Sequence, residues 1–546
     1  MVTRHMFERK GDPWDAGAPS ADRALTVGLV TEGTYPFYPG GVSNWCQLLI
    51  EGLPDVRFVV VSIVAAPNLR PAVSLPSNVV SLIVVPLWGV SEVAELRPDD
   101  AIDRLLGKGR PPAPKSEIAA FAGTFGTFID LVWGPEAAGQ RFVDTLGELA
   151  AHLRYYDYDR TMRSQAVWRA FLSRAEAGYR RADWVDGNER VALADVTASM
   201  QLLYHWLSVL RVRMPEVDVI HAASAGFASL PGVARAGISR DDGDTRTRLR
   251  LATGEATTGA RSKFLLTEHG LYLRERLLGL TRSPGSRFEK AFQAAFIQRL
   301  VEAGYVAADL VTPGCYYNQR WERRLGASPR RLRTIYNGPS PGAFTGDDRT
   351  AAPLSDHRVT VLGRIDPLKD LETLIRAAAV VVELVPDLDL VIYGEAAPEN
   401  RWYFERCVAL RDQLGLVDNV RFRGYAPSAA DAYREGSFVV QSSISEGFPY
   451  SVVEAMLIGR AVVATDVGGV SEAVDDCGIL VEPRNPTALA AAMLRLLRDP
   501  GLAEKLGVRA RARAATHFTA QRCNADYLMS YQALRAGQRP AIRSQL

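Results

Sequence analysis

Short, apolar, β-branched runs alternate along this chain with longer stretches whose apolar residues recur at spacings of three and four, as expected of a parallel sheet wound with helices. In the first half the runs are LTVGLV from Leu25, VRFVVVSIV from Val56, VVSLIVV from Val79, VDVIH ending at His221, KFLLTEH ending at His269 and ADLVTP from Ala308. They are continuously apolar, as strands covered on both faces must be. From Val90 to Met214 the period turns helical, in FIDLVWGPEAAGQRFVDTLGELAAHLRYY and ASMQLLYHWLSVLRVRM, which predicts a helical insertion in the first domain. SRDDGDTRTRLRLATGEATTGARS, from Ser239, is polar and glycine-rich and predicts a mobile loop.

After YNGPSPGAFTGDDRTAAPLSDHR, from Tyr336, the alternation starts again, so this Pro/Gly/Ser-rich passage is the expected linker. The second half predicts strands at RVTVLGR, LDLVIYG, NVRFRG, SFVVQSS, AVVATD and GILVEP, helices from Asp370, Asn400 and Val452, and a last helix from about Thr519 to Ala536. The expectation is an α/β chain of two doubly wound, Rossmann-like domains facing a cleft, over residues 24–338 and 339–518. A disordered lead over 1–23 and a C-terminal helix and tail over 519–546, the helix crossing back to the first domain, complete it. In such sheets ligands sit at the carboxyl ends of the strands.

Composition narrows this picture. At 546 residues the chain is too long for one core, since domains average about 150 residues. A formal charge of +2 offers no field for nucleic acid, so no such partner is expected. Cys46, Cys315, Cys407, Cys477 and Cys523 lack zinc-site spacing and are expected as core thiols in a reducing compartment. The opening MVTRHMFERKGDPWDAGAPSADRA has no apolar core of the kind a secretory signal needs, and runs such as FVVVSIVAA fall short of the ~20 residues that span a bilayer. A cytoplasmic protein, reaching the inner face of a membrane only through partners, is the expectation.

Four clusters fall at strand ends. In TEGTYPFYPGGVSNW, Gly40 and Gly41 follow the first strand and precede a helix, where backbone can approach an anion; a plain turn is the other reading. In VLGRIDPLKDLETLI, Arg364 and Lys369 flank a proline turn at a helix start and suit a pyrophosphate, unless they are only solvated loop cations. In QSSISEGFPYSVVEAM, Gly447 and Phe448 offer backbone N–H groups before a helix. Glu446 and Glu454 there offer acceptors for sugar hydroxyls, Glu454 alternatively compensating the helix dipole from the first turn. In LLTEHGLYLRER, His269 ends a strand with Glu268, Arg274, Glu275 and Arg276 near it, able to donate to a departing phosphate or a sugar hydroxyl. His221 is a weaker candidate of the same kind, and for both a structural role is the competing reading.

The chain has no GxxxxGK[ST], GxSxG or HExxH, so phosphate-loop ATPase, serine hydrolase and zinc protease chemistry lack support. Asp157-Tyr158-Asp159 and Asp387-Leu388-Asp389 resemble metal-holding aspartate pairs, but one lies in the aromatic-rich insertion and the other before a buried strand. Both are expected to be structural, and no metal is expected.

The motifs LGRIDPLKDLETLIRA, VRFRGY, SSISEGFPYSVVEAMLIGRAVVATDVGGVSEAV and GILVEP, from Arg358 to Pro483, resemble the donor-binding domain of GT-B glycosyltransferases of retaining family 4. The resemblance implies that Arg364 and Lys369 bind the donor diphosphate and that Glu446 with the Gly447, Phe448 and Pro449 backbone holds the transferred sugar. Glu454 would hold the ribose, with Gly424 and Tyr425 near the base. TEGTYPFYPGGVSNWCQLLIEGLP and LLTEHGLYLRER are similar to the cytosolic glycosyltransferases of bacterial Pel exopolysaccharide systems. That likeness implies that Gly40 and Gly41 form a phosphate and acceptor loop and that His269 is an active-site histidine. A UDP-sugar donor that is substrate and not cofactor, a polysaccharide acceptor and integral-membrane partners of a synthase and export complex are implied as well. The chain departs from the wider family at YNGPSPGAF, where most relatives carry Asn-Gly, an aliphatic residue and Asp. A non-catalytic nucleotide-sugar sensor or scaffold and a sugar-nucleotide epimerase are the alternatives.

Overall fold

The structure, a computed structural model, describes residues 23–66, 69–88, 110–134, 139–181, 191–212, 214–238, 262–340, 342, 344 and 357–539. The expected lead, the loop from Ser239, the start of the insertion and much of the linker lie outside these residues. The described chain divides into two compact units. The first runs to Thr312 and adds Glu322–Arg333 and the residues from Met529; the second holds Pro313–Trp321 and Thr334–Leu528. Divisions therefore fall inside the strand Leu310–Pro313 and the helices Tyr316–Arg324 and Ala520–Arg535.

In the first unit the strands are β1 Thr26–Glu32, β2 Arg57–Val64, β3 Val79–Pro86, β4 Val219–Ala222, β5 Lys263–Glu268 and β6 Leu310–Pro313. Their order across the sheet is β3-β2-β1-β4-β5-β6. Parallel registers such as Thr26 opposite Arg57 and Val27 opposite Val219 set the pairing. The second unit repeats the plan with β7 Arg358–Leu362, β8 Asp389–Tyr393, β9 Val420–Gly424, β10 Phe438–Gln441, β11 Ala461–Thr465 and β12 Ile479–Val481. Its order, β12-β11-β10-β7-β8-β9, is the same arrangement counted from the other edge. In each sheet the direction of winding reverses once, between β1 and β4 and between β7 and β10, and open sheets of this kind bind ligands outside the strand ends at that reversal.

Each strand matches a predicted run, and burial explains why most of those runs are unbroken; the edge strand β9, VRFRG, is the exception, with Arg421 and Arg423 alternating along it. Val27, Leu29 and Val30 are fully buried although they point to opposite faces of β1, because helices cover both sides. All five cysteines are buried and none forms a disulfide.

The helices Lys115–Val132, Gly139–Tyr155, Tyr158–Met162, Gln165–Arg180 and Leu193–Leu207 lie between β3 and β4. Their aromatic content is high, as in HLRYYDYDRTMRSQAVWRAFLSR. Packing accounts for it. Phe171 meets Phe292 edge-on at 5.5 Å, Trp206 stacks on Phe296 at 5.0 Å, and Tyr158 and Phe171 are buried. The long helix Arg287–Ala307 is the common floor for these rings. Replacing Phe171 by Ala is expected to cost about 3–5 kcal/mol in denaturant unfolding, as for other fully buried Phe side chains. A cost below about 1 kcal/mol would mean that the insertion is not part of this core.

Candidate active site

At the reversal point of the second sheet, the chain leaving β7 meets the chain leaving β10. After β7, Asp366 Oδ1 accepts from Leu368 N at 2.8 Å and Pro367 opens a single 3-10 turn that ends at Lys369. Asp370 then adopts a left-handed conformation, φ 47°, and accepts from Thr373 Oγ1 at 2.6 Å as the helix Leu371–Val382 begins. After β10, Ser442 Oγ donates to Lys369 O at 2.8 Å and Ile444 N to Leu368 O at 2.8 Å, so the two turns are stitched together. Lys369 Nζ reaches Glu446 Oε1 at 2.7 Å with both side chains partly shielded from water, where Coulomb attraction exceeds that of a solvated pair. Arg364, exposed beside this turn, makes no hydrogen bond or ion pair among the described residues.

The segment after Glu446 is held from behind. Gly469 N donates to Gly447 O at 2.8 Å, and Phe448 packs among Tyr336 and Phe518 at ring distances of 5.0 and 5.1 Å. Gly468 has φ +59°, and a Cβ on it would lie 1.8 Å from Glu446 O; only glycine lets the chain pass this close. A second such contact steadies the other side of the site. A Cβ on Gly394, φ +144°, would lie 1.8 Å from Gly363 O, next to Arg364.

Pro449 precedes the helix Tyr450–Ile458, which starts two residues earlier than the expected Val452. Glu454 therefore lies in the second turn, and the dipole reading, which placed it in the first, does not hold. Its Oε2 accepts from Tyr433 OH at 3.0 Å. Burial pushes its carboxyl up to about 7, with the Tyr433 hydroxyl pulling the other way. Gly424 ends β9 and its carbonyl accepts from Gly394 N at 2.8 Å, while Tyr425 beside it is 75% exposed.

In the first unit, Gly40 and Gly41 stand at the start of the helix Gly41–Glu51, and a Cβ on either would meet nothing within 4 Å. His269 lies at the end of β5 with Trp45 edge-on at 4.5 Å, and burial lowers it to about 4, so it is neutral at pH 7. His221 is fully buried, its Nδ1 2.6 Å from Tyr531 OH and its Nε2 2.7 Å from Thr267 Oγ1, which fits a structural role. Glu268 is also buried, its carboxylate accepting from Tyr272 N at 2.9 Å and from Tyr305 OH; burial raises it to about 7. Arg274, Glu275 and Arg276 are exposed on the helix Tyr272–Arg282, Arg276 lying 6.0 Å from the ring centroid of Tyr272, whose N–H serves Glu268. The aspartate pairs have local work: Asp157 caps the helix Tyr158–Met162, Asp159 accepts from Tyr204 OH, Asp387 pairs with His357 at 2.8 Å and Asp389 with Arg358 at 2.7 Å.

Residues 25–240 and 251–330, more than half of the chain, match a domain of unknown function, DUF3492. The chain belongs to this family. Residues 356–499, carrying the Lys369–Glu446 pair, match the family of glycosyl transferases group 1. Among curated relatives, D-inositol 3-phosphate glycosyltransferase of Segniliparus rotundus is 31% identical over 262 residues, covering 45% of this chain and 58% of the relative. The protein of the same name from Thermobifida fusca is 33% identical over 196 residues, covering 33% and 45%. This DUF3492 chain thus spans about half the length of the curated relatives it matches. Sucrose-phosphate synthase from Thermosynechococcus elongatus superposes with a TM-score of 0.55 at 18% identity, over 94% of this chain and 100% of that one. Anabaena HepE, solved with UDP and glucose, gives 0.54 at 15% over 94% and 100%. These likenesses show the GT-B fold.

Sequence reasoning on this DUF3492 protein missed Gly394, Gly468, Ser442 and Gln441. The glycines were visible as Gly residues beside strand ends, but only the close approach of a second strand's loop shows why they are required.

A Gly415→Ala change, at φ +70° with nothing within 4 Å, isolates the backbone cost and is expected at about 1 kcal/mol. Gly468→Ala adds the collision with Glu446 O and is expected to cost at least twice as much in denaturant unfolding; equal costs would show that the loop is not pinned there. Glu454 binds its proton up to about pH 7 in the folded chain but only to about 4.5 when unfolded. Stability contributed by the neutral form is thus full below 4.5 and is lost as pH rises to 7. In Glu454→Gln, unfolding midpoints measured from pH 4.5 to 8 should fall less steeply than in the wild type, and parallel curves would contradict the assigned burial.

Proposed function

We propose that this protein is a retaining glycosyltransferase that moves a sugar from a UDP-sugar to a growing polysaccharide. The observation that carries the reading is the Lys369–Glu446 pair, with Arg364 beside it unpaired among the described residues, at the strand reversal of the group 1 domain. Two cations against one carboxylate leave a surplus positive charge suited to a diphosphate. A phosphate oxygen can compete for Lys369, while Glu446 Oε2, which takes none of the donors on Oε1, is open to a sugar hydroxyl.

In the proposed reaction the bond from the anomeric carbon to the UDP oxygen breaks as the acceptor hydroxyl oxygen bonds to that carbon on the same face. The hydroxyl proton passes to the departing phosphate oxygen, and Arg364 and Lys369 stabilise the charge that develops there. Glu446 positions the sugar. Neutral His269 suits a hydrogen bond to a hydroxyl better than stabilisation of a phosphate. Gly40 and Gly41 are assigned to the acceptor and phosphate loop, Glu454 to the ribose, Gly424 and Tyr425 to the base, and Arg274, Glu275 and Arg276 to the acceptor side, on the family resemblance. The likeness of TEGTYPFYPGG and LLTEHGLYLRER to Pel systems supports an exopolysaccharide product and membrane-embedded partners at the cytoplasmic face. Among the described residues no helix is long and apolar enough to cross a membrane.

Lys369→Ala and Glu446→Ala should each keep a cooperative unfolding transition and lose at least about tenfold in UDP release coupled to acceptor glycosylation, since one charge-assisted contact is worth about 1.5–3 kcal/mol. UDP-sugar binding measured by calorimetry should persist in EDTA. Loss of binding on chelation, or wild-type turnover in a folded variant, would overturn these roles. Sugar-nucleotide conversion without an acceptor would favour an epimerase, and binding with no turnover a sensor.

A further inference from the structure

Gln441 is the polar end of the otherwise apolar strand β10 and is 6% exposed. Its Nε2 donates to Glu446 Oε1 at 3.1 Å. The same oxygen receives Lys369 Nζ at 2.7 Å and Ser443 Oγ at 2.6 Å, and Ser443 is itself fixed because Thr465 Oγ1 donates to its carbonyl at 2.6 Å. A carboxylate oxygen has about two lone-pair sites, so Oε1 is saturated by the protein's own donors. None of the three reaches Oε2.

The last torsion of a Glu side chain is broad and two-fold, and without several donors on one oxygen the two oxygens would exchange places. Lysine alone does not prevent this, because an ammonium on a flexible stem follows whichever oxygen is near. The short hydroxyl of Ser443 and the amide of Gln441 are the directional contacts. Gln441 Oε1, moreover, is buried with no hydrogen-bond partner among the described residues. A leucine would fill the same core position without stranding a polar atom, so the amide is costly for packing and is explained by what its N–H holds.

We infer that Gln441 is a positioning residue that turns Glu446 so that Oε2 alone faces the transferred sugar, and that it thereby sets which hydroxyl configuration of the donor is accepted. The inference rests on the donor reading above. One acceptor atom in a fixed direction serves one hydroxyl; an epimer with that hydroxyl reversed loses the contact. A Glu446 free to swing would meet either epimer partway.

The test compares the wild type with Gln441→Leu and Gln441→Glu, using UDP-glucose, UDP-galactose and their N-acetylated counterparts, with UDP itself titrated by calorimetry. Gln441→Leu should bind UDP as the wild type does, lose about ten- to a hundredfold in kcat/KM for the preferred donor, and narrow the ratio between that donor and its epimer. Gln441→Glu sets a second carboxylate against Glu446. It should be inactive at neutral pH and recover below about pH 5–6, where one carboxyl takes a proton and donates again, a limb that the wild-type profile lacks. Unchanged kcat/KM and selectivity in the Leu variant, a wild-type pH profile in the Glu variant, or loss of UDP affinity together with turnover would each overturn the inference. Wild-type turnover with indifferent variants sinks it alone; a wild type that binds none of the four donors sinks the donor reading and this inference with it.

Discussion

The second unit is built around one partly shielded ion pair, Lys369 to Glu446, at the point where its sheet changes winding direction. Strands β7 and β10 are hydrogen-bonded neighbours, but the helices that follow them leave on opposite sides, so the two turns open a notch between them. A charge placed in that notch loses part of its hydration and must be matched. The match is incomplete among the described residues: Arg364 has no anion there, and Glu446 has one oxygen fully engaged and one that receives none of those donors. The glycines at 394 and 468, the serine at 442 and the left-handed Asp370 all serve to bring backbone close enough for this pairing.

The first unit holds its carboxyl and imidazole groups differently. Glu32, Glu268 and Glu322 are carboxyls that burial pushes toward the neutral form, and His221 and His269 are imidazoles that burial also keeps neutral. Glu322 has both oxygens buried without a hydrogen-bond partner among the described residues, a state tolerable only for a protonated acid. Tyrosine hydroxyls, Tyr272 on Glu32 and Tyr305 on Glu268, satisfy the others.

Much of this was legible before any coordinates. The predicted runs marked the twelve strands of the described residues, most of them unbroken because burial on both faces leaves no alternating polar positions, and Lys369 and Glu446 were both singled out from their places at strand ends. What was not legible was partnership. Lys369 and Glu446 are 77 residues apart in the chain, and neither sequence nor spacing says that they touch. The aromatic-rich insertion looked like surface to spare, because a linear reading cannot see that the helix Arg287–Ala307 lies against it and takes up its rings.

The sequence by itself determined the alternation of strands and helices, the two wound sheets and the residue types at their carboxyl ends, since hydrophobic period and glycine or proline punctuation are local properties. Tertiary structure alone decided which carboxylate oxygen is occupied, why glycine is required at 394 and 468, that Gln441 faces Glu446, and which histidine and glutamate are sealed inside the first unit. Each of these depends on the distance between segments far apart in the chain, and the strand order that sets those distances is a property of the packed sheet, not of any one segment.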